Sequence, residues 1–345
     1  MSKAVYVGVR AKAHKVKAVY VGVDGIARKV KKAYVGVNGK ARLCYAANPF
    51  ASYSGKYTVS DVEVDGKPCK LYTLTTSGTL VLDDEIQYWM CGGGASGAAT
   101  YSIYNSSVSA YACYAGGGGG GGYIKRGVLA GGSHVVAIGA GGAKTAHNEN
   151  EMHSPGAATK IDNISAEGAT SGRAPYYESG SSHSPGSSNG YSGGGATGYA
   201  YNDDGYDGAS GTPGTGTGDA SLAYPFGLTS LKAHSAGGGA GGIFFYEPHA
   251  YVKGGNGGSK GSNGGQATDN CQTPYGLYGI GGTYGGGNGG DPYKETDTGC
   301  TGNAATFYGS GGGGGSTYMD KRYPEYADGY GGAGYQGVVY LLAPV

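Results

Sequence analysis

The first 45 residues alternate apolar and polar positions and then repeat. AVYVGVRAKAHKVK begins at Ala4, AVYVGVDGIARKVK begins at Ala18, and KAYVGVNGKARLCY follows in the same register. Tyr6, Tyr20 and Tyr34 are spaced by 14 residues, as are Gly8, Gly22 and Gly36. Alternation with a period of two predicts strands, and each unit reads as strand, tight turn, strand. Asp24-Gly25 and Asn38-Gly39 are dipeptides that suit a two-residue hairpin turn. Arg10-Ala11 occupies the same place in the first unit, where the turn signal is weaker. One short hairpin is marginal in water, so the three units are expected to stack on each other, on the next domain or on other chains.

From 51 to 91 the pattern predicts consecutive strands. Asp65-Gly66 and Ser77-Gly78 mark turns; Leu80 and Leu82 alternate, as do Ile86, Tyr88 and Met90. Trp89, the single tryptophan, reads as core packing before it reads as a ligand platform. From 92 to 337 the alternation gives way to glycine runs, including Gly116 to Gly122 and Gly311 to Gly315. Tyr-rich polar inserts separate the runs at 99–114, 173–189, 199–208, 243–253, 269–284 and 316–330. The chain closes on the apolar stretch 338–342, a strand whose nearest suitable partner is 86–91. These shifts divide the chain into a hairpin-repeat module (1–50), a strand region (51–91) and a glycine-rich domain (92–345).

Composition changes the expected core. Glycine occupies 76 of 345 positions and tyrosine 33. Leu, Ile, Val and Phe together number 48, too few to fill a conventional α/β core of this length. Ordinary disorder is disfavoured by a net charge of +1 and 11% aromatic residues. Collagen is excluded by 12 prolines without a Gly-X-Y period. An ordered alternative is a set of packed helices with three residues per turn. Such helices make no internal hydrogen bonds, so buried amides must pair with neighbours, and glycine permits the close approach. The expected class is therefore all-β with a region of polyglycine II type.

The chemistry is sparse. The near-neutral charge argues against nucleic acid as the main partner. No stretch of 18 apolar residues predicts a membrane span, and MSKAVYVGVR lacks the apolar segment of a secretory signal. Cys44, Cys69, Cys91, Cys113, Cys271 and Cys300 match no zinc spacing and read as free thiols. The seven histidines form no paired-ligand motif, and His134 reads as a strand residue. Asp203, Asp204 and Asp207 resemble a calcium loop but lack its late Glu, so a plain turn is favoured. No cofactor, metal or catalytic residue is expected. The basic residues of the return strands, Lys15, Lys17, Arg28, Lys29, Lys31, Lys32, Lys40 and Arg42, suit either edge protection or an acidic partner.

The tyrosines carry the strongest functional signal. Tyrosine offers a rigid apolar face and a polar tip, which suits recognition surfaces. Tyr176, Tyr177, Tyr199, Tyr201, Tyr206, Phe244, Phe245, Tyr246 and Tyr251 sit in inserts alongside Asp203, Asp204 and other polar residues. They could stack on sugars, or they could cover the glycine segments and supply missing core.

Several stretches resemble glycine-rich domains of bacteriophage tail proteins. LYTLTTSGTLVLDDEIQYWMCGGGASG is similar to their opening, in which a Thr-x-Ser-Gly-Thr hairpin leads to an apolar strand and Gly-Gly-Gly. GGGGGGGYIKRGVLAGGSHVVAIGAGG resembles their second signature, and GGAGYQGVVYLLAPV their closing strand. The AVYVGVDGIARKVKKAYVGVNGKARL repeats are similar to N-terminal segments of tail proteins in phages and prophages of Gram-positive bacteria. The resemblance implies a virion tail fibre or tip adhesin whose glycine-rich region is a sandwich of polyglycine II helices with distal loops touching the host receptor. It also implies a non-enzymatic homotrimer, made in the host cytoplasm, that meets other tail proteins through repeats carrying Tyr6, Tyr20, Tyr34, Arg28 and Lys31. The receptor would be a glycan or surface polymer. A tail component without receptor binding and a glycine/tyrosine-rich cell-surface protein are the alternatives.

Overall fold

In the computed structural model the chain is all-β, with single-turn 3-10 helices among the described residues at Ala220–Leu222 and Pro225–Gly227. The structure describes residues 6–9, 12–15, 19–105, 110–145, 154–170, 189–195, 199–201, 215–245, 251–252, 254–260, 278–291, 300–320 and 325–344. The chain forms two units. The first holds Met1–Trp89, Arg126–Val136 and Val339–Val345, and the second Met90–Lys125 and Ala137–Val338.

The repeats of the first unit are three separate antiparallel hairpins. Tyr6–Val9 pairs with Lys12–Lys15, Tyr20–Val23 with Ile26–Lys29, and Lys32–Val37 with Lys40–Ala46. The register repeats with the sequence: Tyr6 faces Lys15 and Tyr20 faces Lys29. Asp24 and Gly25 have φ of 51° and 76°, and Asn38 and Gly39 have 51° and 73°. Positive φ at both central residues is what the expected turn requires. Tyr20 is 61% exposed and Tyr34 60%, and Val21, Ile26 and Val35 are exposed as well. Lys32 ties the third hairpin to the turn at 84–85, with Nζ 3.0 Å from Glu85 Oε1 and 3.6 Å from Asp84 Oδ2.

The rest of the first unit is built on two sheets. One orders its strands Ile124–Leu129, Ile86–Cys91, Val338–Pro344, Lys67–Leu74 and Tyr57–Val64. The other pairs Gly78–Leu82 with Phe50–Tyr53 and with Gly132–Ala137, which places His134 in a strand. Leu71, Leu74, Trp89 and Leu341 from the first sheet are buried, as are Tyr53, Leu80, Leu82 and Val136 from the second. The closing strand lies beside 86–91, as its apolar sequence suggests. It is also paired on its other side with 67–74, Leu341 opposite Tyr72. Trp89 is fully buried and meets Tyr340 edge to face at 5.7 Å.

The second unit is organised by glycine. Its glycine-rich segments lie outside any strand or helix, yet their amides are paired with a period of three. Gly116, Gly119 and Gly122 donate to the carbonyls of Gly315, Gly312 and Gly309 at 2.8, 2.8 and 2.7 Å. Gly118 and Gly121 donate to Gly195 and Ser192, whereas Gly120 and Tyr123 donate to Thr170 and Glu167. Successive residues thus address three different neighbours, and every third residue returns to the same one. Segment 92–100 behaves alike. Gly92, Ala95 and Ala98 donate to Tyr123, Gly120 and Gly117, and Gly94, Gly97 and Thr100 donate to Tyr335, Gly332 and Gly329.

Close approach, rather than unusual φ, makes glycine obligatory within this array. A Cβ on Gly97 would stand 2.0 Å from the Gly313 carbonyl oxygen, and one on Gly116 1.9 Å from that of Ala98. The core of this unit is therefore largely backbone, supplemented by small buried side chains such as Ala95, Ser96, Ala98, Ala240, Ser310 and Ser316.

Candidate functional site

The hydrogen-bond registers give the array two distinguishable ends. Segments 116–122, 235–242 and 309–316 are linked at Gly116, Gly241 and Gly315, and again near Gly122, Ser235 and Gly309. Strands leave the array at the first of these ends. Tyr101–Asn105 follows segment 92–100, Ala110–Tyr114 precedes 116–122, and Ile243–Phe245 follows 235–242. Thr317–Asp320 follows 309–316, Glu325–Asp328 precedes 329–335, and Tyr199–Tyr201 lies just beyond 189–195. All of them therefore project from one end.

These strands make two small sheets that carry several of the aromatic residues singled out from the sequence. In the first, Tyr199 pairs with Tyr114 and Tyr201 with Ala112. In the second, Phe244 lies opposite Tyr251 on one side and Tyr318 on the other, and Phe245 lies opposite Met319. The structure thus brings Tyr199, Tyr201, Phe244, Phe245 and Tyr251 to the same end of the array, on strands where loops were expected. Tyr176, Tyr177, Asp203, Asp204, Tyr206 and Tyr246 lie outside the described residues. Of the attachment residues, Tyr20, Tyr34, Arg28 and Lys31 are exposed in the first unit, and Tyr6 lies in the strand Tyr6–Val9.

The opposite end carries an aromatic cluster that the sequence pattern does not reveal. Its base is the segment 219–235, where Asp219 caps the first 3-10 turn through Oδ1 to the Ser221 amide at 2.8 Å. The Tyr191 hydroxyl donates to the Asp219 carbonyl, and Tyr191, Ala223 and Ala233 form a buried core against which Ile124, Leu222 and Tyr224 pack. His234 follows, buried, with its ring 4.8 Å from Phe307 and nearly parallel to Tyr308 at 6.2 Å. Burial lowers its pKa to about 3. Burial raises the nearby Cys91 thiol to about 12.

Above this base lie partly exposed groups. Tyr224 and Tyr284 meet edge to face at 6.5 Å, with Lys260 Nζ 5.3 Å from the Tyr224 ring centre. A hydrogen bond from Lys260 lowers the Tyr224 hydroxyl from its ordinary pKa, and the same bond raises Lys260. Thr283 donates its amide to Ser259 Oγ at 2.7 Å, which joins the segments that carry Lys260 and Tyr284. Gly285 then packs on Phe307, where a Cβ would come within 2.5 Å. Lys232 Nζ stands 5.3 Å from the Phe307 ring centre, and Tyr308 meets Tyr335 edge to face at 5.5 Å. The one sequence signal here is the concentration of Leu222, Leu228 and Leu231 in a zone otherwise poor in leucine; the juxtaposition of 224, 260, 284 and 307 is long-range.

Among the described residues no group of three or more His, Cys, Asp or Glu could hold a metal ion. Among the described residues, Cys69, Cys91 and Cys300 form no disulfide. No described helix is long and apolar enough to cross a membrane. Compared with known proteins, the chain matches no family model and no curated protein.

Proposed function

We propose that this chain is a tail fibre or tail-tip protein of a bacteriophage, which binds the host cell surface through aromatic inserts on a rigid scaffold of polyglycine II type. The observation that carries this reading is the polarity of the glycine array. A period of three in the pairing fits helices of three residues per turn, and backbone-to-backbone packing leaves that scaffold little room to vary. The two small sheets that carry Tyr199, Tyr201, Phe244, Phe245 and Tyr251 leave it at one end. Variable segments on a rigid support are where recognition is usually placed, and aromatic residues beside polar ones suit a glycan or other surface polymer. The role is one of binding rather than catalysis.

The exposed hairpins support attachment and self-association. Hairpins with apolar side chains open to solvent gain stability by pairing with other surfaces. A homotrimer in the virion tail, joined there to other tail proteins, suits this arrangement.

The test is host adsorption. Because 189–195 and 235–242 belong to the scaffold, inserts 171–188 and 202–214 should be replaced by short Gly-Ser linkers while those segments are kept. Particles carrying this variant should assemble and fail to adsorb. Normal adsorption would leave a structural tail component without a receptor role.

A further inference from the structure

Phe226, Lys260 and Tyr284 adopt φ of 54°, 53° and 72°. This left-handed region favours glycine, and a side chain held there is strained. The choice is notable in a chain that places glycine at 76 of 345 positions. Glycine would be the low-strain residue at each site, and the second unit uses it freely wherever backbone geometry or space requires. Such strain persists where the surrounding structure enforces it, and it concentrates at ligand-binding positions.

The three residues lie in or beside one cluster. Tyr224 and Tyr284 present half-open rings with planes 70° apart, Lys260 sits against the first of them, and the Ser259–Thr283 hydrogen bond holds the two segments together. Tyr284 is 39% exposed. Covering the array would call for apolar side chains, not an ammonium group and phenol hydroxyls that converge at the surface. Ring faces bind the C–H face of a sugar, whereas an ammonium group flanked by hydroxyls binds a carboxylate or phosphate. We infer that Tyr224, Tyr284 and Lys260 form a binding site for an anionic glycan, a sugar polymer bearing carboxylate or phosphate groups, at the end of the array opposite the projecting strands. The inference rests on the receptor-binding reading for its setting, a host surface polymer, but the binding itself belongs to the isolated protein.

The experiment measures binding of the full-length protein to three polymers: polygalacturonate, a poly(glycerol phosphate) and neutral dextran. Lys260→Gly and Tyr284→Gly are compared with wild type, and Lys144→Gln is the control, since Lys144 stands over Tyr330 in the second unit. Wild type should bind at least one anionic polymer and not dextran. Both glycine variants should bind at least about tenfold more weakly, the loss expected for a charge-assisted hydrogen bond, without a lower Tm, because each relieves strained backbone. Lys144→Gln should bind like wild type. Preference for polygalacturonate assigns the carboxylate, and preference for poly(glycerol phosphate) assigns the phosphate. No binding to either anionic polymer, equal binding to dextran, or unchanged binding by Lys260→Gly overturns the site. Those results leave the adsorption test standing, and normal adsorption of the insert-replaced particle leaves this binding standing, so the two readings fail separately.

Discussion

Gly313 faces Asn288 so closely that a Cβ on Gly313 would lie 1.7 Å from the Asn288 carbonyl oxygen. Backbone occupies both sides of that contact, so no side-chain rotation can relieve it. Gly313→Ala should destabilise the second unit by about 3 kcal/mol or more, at the upper end of overpacking costs. Gly22 lies in an exposed hairpin strand with nothing within 4 Å of its missing Cβ. Gly22→Ala should stay within about 0.5 kcal/mol of wild type or be slightly stabilising. Thermal unfolding of the two variants is the check. Equal tolerance would mean that the array is not packed on backbone.

The closing strand should be indispensable to the first unit. Val339 and Leu341 are fully buried, and the strand lies between 86–91 and 67–74. Removing residues 338–345 should expose Trp89. Its fluorescence should shift to longer wavelength under native conditions, and an emission spectrum unchanged by the truncation would contradict this role.

His234 should make the second unit sensitive to acid. Its pKa falls from 6.5 to about 3 on folding because burial disfavours the charged ring. The folded state therefore holds this side chain neutral. Its stabilising contribution is complete above pH 6.5 and is lost as the pH falls from there towards 3. The loss should be on the order of a few kcal/mol. Denaturant midpoints across this range should fall more steeply for wild type than for His234→Gln. Parallel curves would show that the ring does not couple to folding.

Cys91 should be inert while the protein is folded. Burial raises its thiol to about 12, so at pH 8 only about one molecule in ten thousand holds the reactive thiolate. Cys69 is half-buried and its thiol is raised by the same cause. Alkylation followed by peptide mass spectrometry should label Cys69 in the folded protein and Cys91 only at the rate of unfolding. Rapid labelling of Cys91 would contradict its burial.

Local features were the most legible in the sequence. Asp24-Gly25 and Asn38-Gly39 specify their turns because few residue pairs accept positive φ twice in succession. Leu80, Leu82, Ile86, Tyr88 and Met90 read as core because pleated strands present every second residue to one face; Trp89, out of phase with them, read as core from its large apolar ring, and the strand proves buried on both faces there. The closing strand identified one partner, 86–91, from apolar matching. It could not identify 67–74, because pairing across some 270 residues leaves no local trace. Phe244 and Tyr251 were visible as aromatic insert residues, but their pairing with each other and with Tyr318 was not.

Composition alone showed that residues 92–337 have too few large aliphatic side chains to fill a conventional core, and it pointed to glycine as the alternative. It could not determine which glycines meet. Glycine segments differ little from one another, so the register of 116–122 against 309–316 depends on the whole array closing with its amides paired. Tertiary structure also decided that the projecting strands share one end, and that Tyr224, Lys260 and Tyr284 meet at the other. Those placements follow from the direction in which each segment runs, a property of the assembled fold rather than of any segment alone.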